Sequence, residues 1–191
     1  NDGSITVDAG GQITATDVAS LTDNDTNDIS LTTTAGDISV GAVDAGSAGD
    51  ATLNAAANIT DDGSGATVLA ADDLIADAGG SVTLDTTVAS ADVSTSAAGN
   101  IDIDETNAIV LSDVDTNDGS ITVDAGGQIT ATDVASLTDN DTNDISLTTT
   151  AGDIAVGTVT AGSAGDATLN AAANITDDGS GATVLAADDL I

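Results

Sequence analysis

The sequence lacks several residue types on which catalysis depends. Its 191 residues include no His, Cys, Lys or Arg and no aromatic side chain, whereas 33 acidic residues give a formal net charge of −33. The chain therefore has no base that titrates near neutral pH, no activated nucleophile and no cation to stabilise an oxyanion. A pair of carboxylates can hydrolyse a glycoside, but the aromatic residues that would hold the sugar are missing. We expect a protein that is not an enzyme and requires no cofactor.

The same absences limit the partners and the location of the chain. Nucleic-acid binding needs Lys and Arg to neutralise phosphates and aromatic rings to stack on bases, so no nucleic-acid partner is expected. The negative charge repels anionic membranes, and no apolar run is long enough to span a bilayer, so no membrane insertion is expected. Without Met or Cys the chain resists oxidation. These features favour an extracellular or cell-surface location.

The composition also argues against one large globular core. No aromatic residue is present to fill such a core, and a high charge with few large apolar residues borders on the disordered class of proteins. A fold made of many thin, similar layers of small aliphatic residues is compatible with this composition. The alternative to such a fold is a disordered chain.

A long internal repeat dominates the sequence. Residues 1–75 recur as 117–191 with three substitutions, which is typical of a repeat array. The substitutions are Ser39 to Ala155, Ala42 to Thr158, and Asp44 to Thr160. We expect one continuous structure, with 1–116 as a first long repeat of about five coils and 117–191 as a partial second copy of about three coils. Because the sequence starts and stops inside the repeat, we expect a piece of a longer array.

A shorter motif recurs within the long repeat: a turn residue, a small polar residue, then apolar, polar and apolar residues. Successive copies are spaced by 24, 22, 31, 19 and 20 residues. They are Gly3–Val7, Asn27–Leu31, Gly49–Leu53, Gly80–Leu84, Gly99–Ile103 and Gly119–Val123. The alternation has the two-residue period of a strand with one buried face. Helix is disfavoured by the content of Thr, Val, Ile, Gly and Asp.

Coils of roughly 20 residues with two or three short strands favour an all-β fold, a parallel β-solenoid of about eight coils. At a spacing of about 4.8 Å per coil this makes a rod of roughly 40 Å. We expect an inward aliphatic ladder of Ile5, Leu31, Leu53, Leu84 and Ile103. The 31-residue spacing predicts a bulging loop at 61–65. The alternative fold is a string of tandem β-sandwich domains, because the 116-residue period suits one immunoglobulin-like domain.

The segments Gly3–Gly11 and Ala35–Val40 resemble the repeats of filamentous-haemagglutinin-like bacterial surface proteins and giant surface adhesins. The resemblance implies a right-handed parallel β-helix, secretion, and a role as a stalk or adhesive fibre. The partners it implies are further copies of the chain or the rest of a longer repeat chain. A second class of function is a binding module that presents one solenoid face to a ligand. Ice is one such ligand, because Thr14/Thr16 and Thr32/Thr34 are predicted to form a ladder in adjacent coils.

The carboxylates are either a solvated, mutually repelling surface or ligands of divalent cations, of which calcium best suits a set of carboxylate and carbonyl oxygens. The second interpretation uses an Asp-x-Asp-x-Asn pattern that occurs three times in predicted turns. The candidate ligands are Asp23, Asp25, Asn27 and Asp28; their copies Asp139, Asp141, Asn143 and Asp144; and Asp113, Asp115, Asn117 and Asp118. An EF-hand is rejected because neither version of the pattern has Gly at the sixth place and Thr34 stands where the bidentate acid should be.

A second candidate cation site is a column of carboxylates. Asp85, Asp104 and Asp124 each follow the second apolar residue of the motif, so stacking would place them about 5 Å apart. Like charges opposite each other destabilise a sheet, and a bound cation or a raised pKa would remove that repulsion. The sequence therefore predicts a rod that calcium stiffens.

Four Asn residues begin N-x-T sequons: Asn24, Asn58, Asn140 and Asn174. In a bacterial protein their occurrence is explained by the abundance of Asn and Thr.

Overall fold

The computed structural model describes residues 3–61, 63, 69–181 and 183–191. Within them the chain forms strands and turns without a helix. The strands, numbered in chain order, lie in two sheets. Sheet A contains β1 (Ile5–Ala9), β4 (Ile29–Thr33), β7 (Ala51–Ala55), β10 (Asp73–Ala78), β12 (Ser90–Ala98), β14 (Ile109–Asp118), β16 (Ile129–Ser136), β18 (Ile154–Thr160), β20 (Ile175–Asp177) and β21 (Val184–Ala186).

Sheet B contains the remaining described strands, and three of them are strands of two residues that pair with one another in successive coils. The strands of sheet B are β2 (Ile13–Ala15), β3 (Val18–Ala19), β5 (Ile38–Val40), β6 (Val43–Asp44), β8 (Ile59–Asp61), β9 (Leu69–Ala70), β11 (Val82–Thr87), β13 (Ile101–Glu105), β15 (Ile121–Ala125), β17 (Ile145–Thr149) and β19 (Ala167–Asn170). The chain alternates between the sheets, and each strand pairs in parallel with the strand one coil away.

This arrangement is a parallel β-solenoid of about eight turns, which confirms the predicted fold class. The alternative of tandem β-sandwich domains is wrong. Sandwich sheets are antiparallel, whereas here parallel ladders run without interruption from the first copy of the long repeat into the second.

The core follows from the two-residue period of each strand. In β13 Ile101, Ile103 and Glu105 face inward, while Asp102 and Asp104 face solvent. Stacked coils repeat this pattern, so aliphatic side chains such as Leu53 and Leu84 are almost fully buried in the narrow space between the sheets. Burial of these thin apolar layers stabilises the rod without any aromatic residue.

The two copies of the long repeat occupy opposite sheets. Strand β1 lies in sheet A, whereas β15, which has the same sequence, lies in sheet B. The same exchange relates β4 to β17 and β7 to β19. The 116-residue offset therefore contains an odd number of half-coils, and the second copy is turned by half a coil.

The expected single ladder of inward residues is wrong for the same reason. Leu31 pairs with Leu53 in sheet A, and Leu84 pairs with Ile103 in sheet B. In the coil that follows, the partner of Leu53 is Ala76 and not Leu84. The 31-residue spacing from Leu53 to Leu84 thus crosses from one sheet to the other and does not measure one coil. Of the predicted bulging loop, residues 62, 64 and 65 lie outside the described residues.

Two edges of the solenoid are used below. At the A-to-B edge the chain passes from a strand of sheet A to the next strand of sheet B, as between β4 and β5. At the B-to-A edge it passes back, as between β6 and β7.

Candidate functional site

The small polar residue that precedes each motif strand binds the next coil. At the A-to-B edge, Oδ1 of Asp37 accepts hydrogen bonds from N (3.0 Å) and Nδ2 (2.9 Å) of Asn58. Oδ1 of Asn58 accepts from the backbone N of Ser81 at 2.9 Å. Ser81 Oγ accepts from the N of Asn100 at 3.2 Å, and Asn100 Oδ1 from the N of Ser120 at 3.0 Å. These five residues, the edge ladder, connect successive coils through side-chain oxygens.

Carboxylates play the same part at the B-to-A edge. Oδ1 of Asp28 accepts from the backbone N of Asp50 at 3.2 Å, and Oδ1 of Asp50 accepts from the N of Asp73 at 3.3 Å. Burial raises the pKa of Asp50, and the nearby acids Asp73 and Asp28 raise it further. Asp144, the copy of Asp28, lies at the opposite, A-to-B edge and accepts from the N of Asp166 at 3.0 Å. The predicted ligands Asp28 and Asp144 therefore bind backbone donors of their own chain.

The predicted turn at 23–28 is a turn in the structure, and its carboxylate is already engaged. Asp23 accepts from Oγ of Ser47 at 2.7 Å and from N of Ala48 at 2.8 Å, one coil further along. The hydrogen bond from Ser47 lowers the pKa of Asp23. Asn27 is buried and donates from Nδ2 to the carbonyl of Thr22 at 3.0 Å, whereas Asp25 is exposed.

The second copy repeats this arrangement at the opposite edge. Asp139 accepts from Oγ of Ser163 at 2.6 Å and from N of Ala164 at 2.7 Å, and the Ser163 hydroxyl lowers its pKa. Nδ2 of Asn143 donates to Oδ1 of Asp118 at 2.8 Å. Asp141, like Asp25, is exposed. In both copies the first Asp of the pattern forms a clasp between neighbouring coils.

The third copy of the pattern is not a turn, so that prediction of local structure is wrong. Asp113, Asp115 and Asn117 lie in strand β14, where Val114 and Thr116 point into the core between them. The same residue types therefore lie along the outer face of a strand and do not surround a common centre. The inward Thr116 is satisfied because its hydroxyl donates to the carbonyl of Gly99 at 2.7 Å.

The predicted column of carboxylates is confirmed in register. Asp85 pairs with Asp104, and Asp104 pairs with Asp124, on the outer face of sheet B. The next residue in the column is Thr148, which lines a shallow groove together with the three acids. Burial raises the pKa of Asp85, and the charges of Asp61 and Asp104 raise it further. We call Asp85, Asp104 and Asp124 the acidic column.

Sequence reasoning missed a second group of acids, on the outer face of sheet A. Asp92 pairs with Asp113, and Ser94 pairs with Asp115 while its hydroxyl donates to Asp77 at 2.7 Å. Partial burial raises the pKa of Asp92 and of Asp115, and neighbouring carboxylates add to the effect. The sequence shows Asp at outward positions of these strands. Only the assignment of each strand to a sheet shows that the Asp residues are neighbours.

The sequence analysis also missed Glu105, the only glutamate of the chain. It faces inward at the end of β13 and is 4% exposed. Oε2 accepts from Oγ1 of Thr86 at 2.8 Å and from N of Val88 at 3.0 Å, and Oε1 accepts from N of Asn107 at 2.9 Å. Burial raises its pKa. The sequence could have indicated a buried Glu105, because this residue occupies an inward position of the two-residue pattern in β13.

In the part of the chain that the structure describes, no three acidic side chains are grouped so that they could hold a metal ion. The calcium assignment stays a prediction. The chemistry that these side chains perform in the structure is the acceptance of hydrogen bonds between coils.

The predicted threonine ladder for ice is wrong. Thr14 lies in sheet B and pairs with Ser39, whereas Thr32 lies in sheet A and pairs with Asn54. The two Thr-x-Thr segments therefore point to opposite sides of the rod.

The described residues contain no helix of the length and apolarity required to cross a bilayer. Comparison with models of protein families, with curated proteins and with solved structures finds no match for this chain, so the arguments on function rest on its own geometry.

Proposed function

We propose that the chain is a non-catalytic structural segment, a rigid acidic rod that serves as the shaft of an extracellular bacterial fibre or adhesin stalk. The observation that carries the proposal is the set of hydrogen bonds that joins every described coil to the next. Backbone ladders run along both faces, and side chains add the edge ladder and the Asp23 and Asp139 clasps. Such a chain resists bending because motion between coils breaks several bonds at once.

The long repeat supports this proposal. Residues 5–9 and 121–125 have identical sequences and similar strand conformations in opposite sheets. A spacer gains length by duplication without new chemistry, whereas a catalytic site needs a unique arrangement of groups. The high negative charge keeps rods apart in solution.

Small-angle X-ray scattering on two lengths of the protein tests the proposal. The first is the present chain, and the second carries a further 116-residue copy. At about 4.8 Å per coil, the longer rod should gain roughly 25 Å in maximum dimension with an unchanged cross-section. A thicker or bent particle, or a gain in length well below this value, would contradict the proposal that the chain is a rigid spacer.

A calcium-stiffened module is a second candidate, favoured by the acidic column. Three carboxylates in register on adjacent strands repel one another. A divalent cation bound between two neighbouring members, with water as its other ligands, would relieve that repulsion. Thermal unfolding should be followed at low salt with calcium, with chelator, and with NaCl of matched ionic strength. Calcium must raise the midpoint more than matched NaCl does. Equal shifts would leave only ordinary screening and exclude this candidate.

A further inference from the structure

The four sequons of the chain have two different environments. Asn24 and Asn140 lie in exposed turns together with the two residues that follow each of them. Asn58 and Asn174 directly precede strands β8 and β20, at positions where side chains bind the neighbouring coil. An N-glycan is attached to Nδ2 of Asn, so the contacts of this atom decide which sequons of the folded chain can react.

The amide groups of Asn58 and Asn174 are held by other residues. Nδ2 of Asn58 donates to Oδ1 of Asp37 at 2.9 Å, while its Oδ1 accepts from N of Ser81 at 2.9 Å. Nδ2 of Asn174 donates to Oδ1 of Asp153 at 2.9 Å. Nδ2 keeps one N–H after the reaction, but a transferase would have to draw the amide away from this Asp of the neighbouring coil to reach it.

The amide group of Asn24 has the opposite orientation. Its Oδ1 accepts hydrogen bonds from both N and Oγ1 of Thr26, each at 3.1 Å. The carbonyl side of the amide thus faces the turn, and Nδ2 is directed away from it. In the second copy, Oδ1 of Asn140 accepts from N of Thr142 at 3.4 Å. The hydroxyl residue that a sequon requires is therefore in contact with the Asn in the first copy and beside it in the second.

We propose that Asn24 and Asn140 of the folded rod are acceptor sites for N-linked glycosylation and that Asn58 and Asn174 are closed. In the reaction, Nδ2 attacks the anomeric carbon of a nucleotide-activated sugar. The carbon–nitrogen bond forms, the bond from that carbon to the phosphate oxygen breaks, and the nucleotide leaves with its phosphate. A transferase base takes one amide proton. Asn174 is exposed as well, so the proposal depends on which amide groups are held by the neighbouring coil, and it is independent of the proposed function.

The half-coil displacement of the two copies determines where the sugars lie. Asn24 is in the turn between β3 and β4, at the B-to-A edge, whereas Asn140 is in the turn between β16 and β17, at the A-to-B edge. Identical sequons 116 residues apart thus place their glycans on opposite edges of the rod. Both broad faces, including the acidic column, remain uncovered.

The test uses the folded chain, a soluble transferase that recognises N-x-S/T, and a nucleotide-activated hexose. Intact-mass measurement should show two added hexoses, and peptide mapping should place them on Asn24 and Asn140. Because residue 25 is Asp and residue 59 is Ile, synthetic peptides of residues 20–30 and 52–61 measure the intrinsic preference of the transferase. We expect both peptides to be modified.

Two variants complete the design. Asn24→Gln combined with Asn140→Gln should abolish modification of the folded chain. Asp37→Ala, which removes the acceptor of Nδ2, should open Asn58 to modification. Absence of sugar on Asn24 and Asn140, or sugar on Asn58 of the unchanged folded chain, would overturn the proposal.

Discussion

At the scale of single residues, the position before each strand explains much of the polar composition. Asp37, Asn58, Ser81 and Asn100 occupy this position in successive coils, and each supplies one oxygen to a backbone N–H of the next coil. Short polar side chains reach neighbouring backbone groups easily. Asp, Asn and Ser can therefore replace one another there, and the motif tolerates all three.

The first prediction concerns the edge ladder. Asn58→Ala leaves the N–H of Ser81 without its acceptor and removes the Nδ2 donor to Asp37, which keeps only the bond from the backbone N of residue 58. The free energy of unfolding should therefore fall by about 1–3 kcal/mol. The matched control is Asn54→Ala, on the exposed outer face of β7, with an expected change within about 0.5 kcal/mol. Urea denaturation followed by far-UV circular dichroism measures both, since the chain has no fluorescent residue. Equal losses in the two variants would refute the structural role of the ladder.

The second prediction concerns repulsion within the acidic column. Asp104→Asn removes the central charge between Asp85 and Asp124, so the protein should become more stable by about 0.2–1 kcal/mol at low salt. Asp25→Asn removes one charge from an exposed turn and serves as the control for net charge. The gain should shrink at high salt, because salt screens exposed charges. Destabilisation by Asp104→Asn in denaturant titrations would show that the column is not repulsive.

At the scale of secondary-structure elements, the close stacking of turns decides which glycines are essential. Gly10 and Gly126 are the same residue of the long repeat, in the Ala-Gly-Gly-Gln turn. A Cβ on Gly126 would lie 2.0 Å from the carbonyl oxygen of Thr106 in the adjacent coil, whereas a Cβ on Gly10 meets no atom within 4 Å. Gly10 lies in the first coil of the sequence, so the requirement for glycine at Gly126 comes from the coil stacked against its turn.

The third prediction uses this pair of equivalent sites. Gly126→Ala should lower stability by about 1–3 kcal/mol, because the backbone of one turn must shift away from the next. Gly10→Ala should change stability by less than about 0.5 kcal/mol. Both variants have the same local sequence, so thermal unfolding compares a turn stacked against a neighbouring coil with the same turn in the first coil. A similar loss in each would mean that the turn conformation itself, and not stacking, requires glycine.

At the scale of the whole molecule, the balance of carboxyl groups determines the response to pH. Burial raises the pKa of six Asp residues and of the inward Glu105. For several of them, the charges of neighbouring acids raise the pKa further. The residues with raised pKa are Asp50, Asp85, Asp92, Asp102, Asp115, Asp133 and Glu105. Hydroxyl hydrogen bonds lower the pKa of Asp23, Asp139 and Asp177. The groups with raised pKa predominate, and no cation offsets the net charge of −33.

The fourth prediction is that mild acid stabilises the rod. A carboxyl whose folded pKa is raised contributes stability that is present below its unfolded pKa and is lost as pH rises through the folded pKa. The thermal midpoint should therefore rise as the pH falls from neutral toward the ordinary Asp value of 3.8, by about 2–4 °C for each kcal/mol gained. The three groups with lowered pKa act in the opposite direction, and their stabilisation is lost only below the ordinary Asp value of 3.8.

Calorimetry across this pH range, at low and at high NaCl, measures the effect. Salt should raise the midpoint more at neutral pH than near the ordinary Asp value of 3.8, because more carboxylates are then charged. A midpoint that falls steadily from neutral pH to the ordinary Asp value of 3.8 would contradict the prediction.

The sequence by itself determined the class of fold. The two-residue period, the glycine turns and the missing aromatic residues leave a stack of thin parallel layers as the arrangement that buries the apolar residues. The acidic column was also predictable, because the motif copies at 80, 99 and 119 are spaced by 19 and 20 residues, one coil each, and lie in one sheet. The right-handed winding implied by the family resemblance stays a prediction.

Only the tertiary structure decided which strand lies in which sheet. Both sheets accept the same apolar–polar–apolar motif, so no local feature distinguishes β1 from β15. The assignment depends on how many half-coils the intervening chain completes, which follows from coil closure over many residues. The partner of Leu53, the acids gathered around Asp92, and the opposite edges of Asn24 and Asn140 all follow from that count. Period-two patterning determines which side of a strand is buried, but packing between coils determines where on the rod the strand lies.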